Sequence, residues 1–220
     1  CASLCLDRSY TMEVHISDLD AISEFVTFDR FHLFGHSWGG LYAQIYAEAR
    51  PEKIKSLFLC SPSSGSNKSW KQTEREVMQF NQKHATFGEW LQMGLYSLAG
   101  MLGSHEAYRK VFRLVLKNYH KQYAKVEISD EALSGIFADP INKTRKEIIK
   151  YKPLPVSTEP EFPILISYGD DDIYGDSKNE LPQRYPTAKM ISIANCGHIP
   201  WLHNLEAFKK ILNDFYSLRN

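Results

Sequence analysis

One ten-residue run constrains this chain more than any other: Phe31-His32-Leu33-Phe34-Gly35-His36-Ser37-Trp38-Gly39-Gly40. Its first residues alternate apolar and polar like a short strand. Gly-His-Ser-Trp-Gly reads as a sharp turn, and Leu41 to Ala49 as a helix stopped by Arg50-Pro51. A serine on such a strained strand-to-helix turn stands clear of the sheet, where its hydroxyl can meet another molecule. Gly35 and Gly39 flank it, and a Cβ at either place is expected to collide with the neighbouring strand or helix. The helix start behind Ser37 aims backbone N–H groups at the space beside that hydroxyl, a place suited to a developing oxyanion. A glycine-rich turn of this kind also serves as a phosphate cradle, so the chemistry depends on what else converges on it.

Two later segments repeat the pattern of a strand followed by a polar loop. Phe162 to Gly169 is a buried strand opened by Pro163, and Asp170, Asp171 and Asp172 follow it directly. Ala188 to Ile193 alternates like a strand and runs into Asn195-Cys196-Gly197-His198-Ile199-Pro200-Trp201. Each residue alone has an ordinary explanation, since Asp after Gly is common turn chemistry and a lone loop His usually packs or faces solvent. The conjunction is informative: serine, acid and histidine arrive in that order, each at the carboxyl end of a strand. A histidine there can reach Ser37, and an acid can hold its imidazole in one tautomer. Asp170 and Asp171 also suit a helix cap or a solvated charge, and Asp176, just before Ser177, reads as the cap of the next helix.

Gly-His-Ser-Trp-Gly-Gly, followed by Ala43, Tyr46, Ala47 and Pro51, together with the tail Gly-Asp-Asp-Asp…Cys-Gly-His, resembles the proline iminopeptidase (prolyl aminopeptidase) group of α/β-hydrolases. The likeness covers residues near 12–62 and 160–216 and is weak between them. It implies an α/β-hydrolase fold: a parallel sheet flanked by helices, with a helical cap inserted. It implies Ser37 as nucleophile, Asp172 (three residues after the strand-ending glycine) as acid, His198 as base and the Trp38 backbone N–H as an oxyanion donor. It implies a small peptide or ester as substrate and no cofactor. Carbon-ester hydrolases of the same fold share the Ser-Trp-Gly-Gly core. A carboxylesterase with the same three residues, or a hydrolase-fold protein without activity, are therefore the alternative readings. The chain also departs from the family, whose members begin with about four more strands and a His-Gly-Gly-type loop that supplies the second oxyanion N–H. Neither is found here, and Tyr10 to Ile16 looks like the segment leading into the helix before the serine strand. The expectation is a chain equivalent to the carboxyl-terminal two-thirds of a hydrolase.

Composition narrows the rest. The 220 residues, 43% hydrophobic, suffice for one domain with an insertion. The 26 basic and 26 acidic residues balance, which speaks against a nucleic-acid partner. No apolar run is long enough for a membrane span, and no signal-peptide pattern is visible at the start. Cys1, Cys5, Cys60 and Cys196 follow neither zinc spacing nor a dense disulfide framework, and His198 and His203 form no recognisable metal cluster with a carboxylate. The expectation is reduced thiols in a cytoplasmic protein with no metal site.

Along the chain, a helix from Ser17 to about Val26 should precede the serine strand, and Ile54–Cys60 should be the next parallel strand. Residues 1–65 and 161–220 then form the core, and 66–160 a helical cap. Helical spacing recurs around Trp70–His84, Phe87–Leu102, His105–Tyr123 and Asp130–Phe137, and the last helix should run from Leu205 to about Leu218. Most cap aromatics should simply pack the cap. A substrate with a free amino terminus would need cap carboxylates, for which Glu74, Glu76 and Glu89 are the candidates. Four strands should lie side by side in chain order. The serine strand is left at an open apolar edge, to be covered by a preceding segment or a partner chain.

Overall fold

Parallel strands must be joined by crossovers, and the near-continuous apolar runs of the two central strands suit a sheet covered on both faces. The computed structural model describes residues 9–123 and 128–217. Its sheet has four parallel strands in chain order: β1 (Phe31–His36), β2 (Ile54–Cys60), β3 (Ile164–Gly169) and β4 (Lys189–Ile193). Every residue of β3 is buried, as is all of β2 except Lys55. Helix α1 (Met12–Phe25) precedes β1, and α2 (Trp38–Ala49) joins β1 to β2. Between β2 and β3 lie α3 (Asn67–His84), α4 (Phe87–Met101), α5 (His105–His120), α6 (Asp130–Ser134) and α7 (Ala138–Lys150). Helix α8 (Glu180–Arg184) precedes β4, and α9 (Pro200–His203) and α10 (Leu205–Tyr216) follow it.

The two-residue period of a strand divides the core. Leu57, Leu59, Ile164 and Ile166 point to one face and pack with Ala43, Tyr46 and Ala47 of α2. Phe58 and Leu165 point to the other, where Phe208, Ile211 and Phe215 of α10 cover them. A third cluster, Met12, Leu41, Ile45, Trp70 and Ile148, ties α1 and α2 to cap helices α3 and α7. β1 lies at an edge of the sheet, and Phe34 on it stays 41% exposed.

Several elements differ from expectation. Helix α1 begins at Met12, not Ser17, because Thr11 caps it by accepting the Val14 N–H; Ser17 sits inside the helix and donates to Val14 O. Tyr10 to Ile16 is thus mostly helix rather than lead-in. The helix expected over 130–137 stops at Ser134, and a further helix, α7, follows it with Pro140 in its first turn. A proline in a first helical turn removes only an N–H that has no partner within the helix. Cys1 and Cys5 lie outside the described residues, as does Leu218; Cys60 and Cys196 are free and buried.

Candidate active site

Ser37 stands between β1 and α2 with φ 55° and ψ −124°, a region costly for any residue with a Cβ. The turn is over-determined by its hydrogen bonds. Ser37 N–H donates to Cys60 O and Ser61 O at 3.2 and 3.1 Å, while Ser37 O accepts from Gly40 and Ser63 N–H, both at 3.0 Å. Gly35 is required as expected, since a Cβ there would lie 2.7 Å from Ala43 Cβ. Gly39 is not: a Cβ there would meet nothing within 4 Å. The second steric glycine is Gly40, whose Cβ would sit 2.5 Å from Pro62 Cβ.

Ser37 Oγ lies 2.9 Å from His198 Nε2, and His198 Nδ1 lies 3.0 Å from Asp172 Oδ1. His198 is 3% exposed and Asp172 9%. Gly169 allows the meeting, because a Cβ there would fall 2.1 Å from Cys196 O, so the two loops cross without a side chain between them. Asp170 then ties them. Its carboxylate accepts the Asn195 and Cys196 N–H groups, each at 2.9 Å, and Asp171 N–H donates to Cys196 O. Asp170 is therefore a tether rather than a helix cap or a free solvated charge. Burial alone would raise the Asp172 pKa, but attraction to His198 and its hydrogen bond, with the Tyr174 N–H, outweigh that and hold it below the ordinary carboxylate value. An ionised Asp172 fixes the proton on His198 Nδ1, so Nε2 is the acceptor that faces Ser37.

Residues that the motifs did not single out complete the site. His36 Nε2–H donates to His198 O at 2.7 Å, and its ring stands 4.8 Å from His198 and 4.6 Å from Trp201. Burial and the neighbouring His198 push its pKa down to about 4, so it is a neutral prop. His203 Nδ1 accepts the Gly197 N–H and its Nε2 meets His120 Nδ1 at 2.9 Å, tying the histidine loop to α5. Tyr119 and Tyr174 set ring edges against His198 at 5.3 and 5.1 Å. Tyr174 Oη lies 3.3 Å from Ser37 Oγ and 2.9 Å from Ser63 Oγ. Burial pushes Cys60 and Cys196 up to about 12, so neither offers a thiolate. Trp38 is the first residue of α2, so its N–H has no acceptor within the helix, and its ring packs 5.1 Å from Trp70.

The cap carboxylates are committed elsewhere. Glu74 pairs with Arg145 of α7, with Nη2 2.7 Å from Oε2. Glu89 closes the capping box of α4 with Thr86 and pairs with Lys117. Glu76, 7% exposed, accepts Gly175 N–H at 2.8 Å, Ser177 N–H at 3.0 Å, the Ser177 hydroxyl and Gln72. All three already have partners, and Glu76 clamps the loop that carries Asp172. A cavity of about 770 Å³ runs from Ser37 and Trp38 along β1, between α1 and the cap, with Leu33, Tyr42, Phe112 and Phe137 among its walls. Among the described residues no group of three His, Cys, Asp or Glu side chains is placed to hold a metal ion, and no helix is long and apolar enough to cross a membrane.

The family model for the α/β-hydrolase fold matches residues 2–204; the chain belongs to that family. It is similar to a proline iminopeptidase of Lactobacillus delbrueckii subsp. bulgaricus, 23% identical over 225 residues, which span 95% of this chain and 72% of that protein. It is also similar to Lipase 3 of a Moraxella species, 25% identical over 86% of this chain and 56% of that protein. A crystal structure of a proline iminopeptidase from Mycobacterium smegmatis superposes with a TM-score of 0.60 at 13% identity, over 96% of this chain and 72% of that one, a likeness of fold.

Proposed function

We propose that this chain is a serine hydrolase that cleaves an amide or ester through an acyl-enzyme. The observation that carries the reading is the hydrogen-bonded series Ser37–His198–Asp172 at the carboxyl ends of β1, β4 and β3. His198 Nε2 takes the Ser37 proton as Oγ attacks the substrate carbonyl, and Asp172 stabilises the imidazolium that results. The Trp38 N–H donates to the oxyanion at the start of α2. His198 then protonates the leaving amine or alcohol, and water, activated by the same histidine, releases the acid and restores Ser37. Burial of His198 and Asp172 strengthens each of these charge–dipole interactions.

For the substrate, the likeness to proline iminopeptidases supports release of an amino-terminal proline from small peptides. The carboxylesterase reading is favoured by one observation: Glu74, Glu76 and Glu89 all have partners within the cap and its neighbouring loop. The ratio of kcat/KM for a proline arylamide to that for its N-acetylated counterpart decides between them. An aminopeptidase gives a large ratio, because a blocked amine forfeits its charge-assisted bonds. A ratio near one, with rapid ester hydrolysis, makes the chain an esterase.

A further inference from the structure

We infer that the Tyr174 hydroxyl is a catalytic donor to Ser37 Oγ, stabilising negative charge on that oxygen as it enters and leaves the acyl bond. The inference rests on the serine-hydrolase reading and follows from counting protons. Ser37 Oγ carries a single hydrogen, and His198 Nε2, whose partner nitrogen is protonated against Asp172, can only accept it. In the 3.3 Å hydrogen bond between Tyr174 Oη and Ser37 Oγ, the tyrosine is then the donor. The Tyr174 oxygen in turn accepts from Ser63, whose Oγ is 2.9 Å distant. The hydrogen bonds thus run in one direction, from Ser63 through Tyr174, Ser37 and His198 to Asp172.

The phenol is built in firmly. Tyr174 is 4% exposed, its N–H donates to Asp172 Oδ1 at 3.3 Å, and the next residue's N–H is held by Glu76. Burial pushes its pKa up to about 12, so it remains a neutral donor wherever the imidazole can act as a base. Attack proceeds with one lone pair of Oγ: the Oγ–C bond forms, the Oγ proton passes to Nε2, and the carbonyl π pair moves onto its oxygen. The other lone pair keeps the Tyr174 hydrogen bond, and the tyrosine proton never transfers. In the acyl-enzyme Oγ is an ester oxygen and a poor acceptor. When the Oγ–C bond breaks in deacylation, charge returns to Oγ and the bond strengthens until Nε2 returns the proton. Each barrier falls because the contact is stronger in the transition state than in the state before it: the neutral Ser37 hydroxyl before acylation, as the proton leaves for Nε2, and the ester oxygen before deacylation.

The test compares Tyr174→Phe, Ser63→Ala and a chain with 3-fluorotyrosine at position 174. Readouts are the rate of Ser37 labelling by a fluorophosphonate, and kcat and KM on a p-nitrophenyl ester. Loss of a buried donor of this kind costs about 10- to 100-fold, at or below the range for an oxyanion donor, as suits the long contact. Tyr174→Phe should slow labelling and kcat by that factor with KM within about twofold. Fluorotyrosine, a more acidic phenol of nearly the same shape, should label at or above the native rate, and Ser63→Ala should fall between. Native-rate labelling of Tyr174→Phe overturns the inference alone. So does a fluorotyrosine chain as slow as Tyr174→Phe, since packing rather than donation would then be at stake. Absence of labelling in the unsubstituted chain overturns the serine-hydrolase reading and this inference together.

Discussion

Glu76→Ala separates a structural clamp from an amine anchor. In the folded chain this buried carboxylate accepts the Gly175 and Ser177 N–H groups, the Ser177 hydroxyl and Gln72. Hydrogen bonds to a charged group contribute about 1.5–3 kcal/mol each and do not add fully. Removing the acceptor strands several donors in the interior, so the expected loss is about 3–5 kcal/mol. For a chain of this length that corresponds to a fall in Tm of roughly 10 °C. Glu76→Gln keeps the shape and one oxygen, and should lose about 1–2 kcal/mol. The pH dependence has a definite sign. Burial would raise the Glu76 pKa, but hydrogen bonds from Ser177, Gln72 and Gly175 hold it below the ordinary value of 4.5. The unfolded chain therefore binds this proton first as pH falls. The contribution is complete above about pH 4.5, the ordinary value, and is lost as pH falls through the lower folded value. Urea unfolding of native, Glu76→Gln and Glu76→Ala chains between pH 3 and 7 checks both magnitude and slope. An unchanged Tm in Glu76→Ala, with selective loss of discrimination between free and blocked amines, would refute the clamp and restore Glu76 as the amine anchor.

Asp172→Asn should retain the fold but lower turnover by about 10⁴, because an amide leaves the imidazole in the wrong tautomer; Asp170→Asn, which weakens only the loop tether, should lower it far less in the same steady-state assay. Ser37→Gly should unfold at higher urea than Ser37→Ala by about 1–3 kcal/mol, against the usual order of these residues, because glycine relieves the strain at φ 55°. Gly39→Ala, on a helix with open space around its Cβ, should be neutral or gain up to about 1 kcal/mol in thermal denaturation. Gly40→Ala, pressed against Pro62, should lose about 1–3 kcal/mol or more.

The features legible in the sequence were those set by local chemistry. Strands β2 and β3 announce themselves because both faces are buried, so Ile54 to Cys60 and Phe162 to Gly169 read as apolar runs. Ser37 and His198 lie just past strand ends, Asp172 is the one of three neighbouring aspartates that the family resemblance implies, and the structure brings the three side chains within hydrogen-bond reach. What escaped depends on tertiary contact. Gly40 rather than Gly39 is the crowded glycine because Pro62, from the loop after β2, leans on it. Glu76 looks like any charged helical residue until the loop at Gly175 closes over it. Tyr174, only two residues beyond Asp172, carried one available signal: an aromatic residue with a polar tip beside an expected acid. Helix α7 carries Pro140 in its first turn, and α1 starts from a Thr11 cap six residues before the expected Ser17.

The central claim, that Ser37 is a nucleophile activated by His198, is tested most directly by mass-mapping the site of fluorophosphonate attachment. The native chain should gain one adduct, on Ser37. Ser37→Ala should gain none, and His198→Ala should label more slowly by orders of magnitude. Attachment at another residue, or undiminished labelling of Ser37→Ala, would contradict the account.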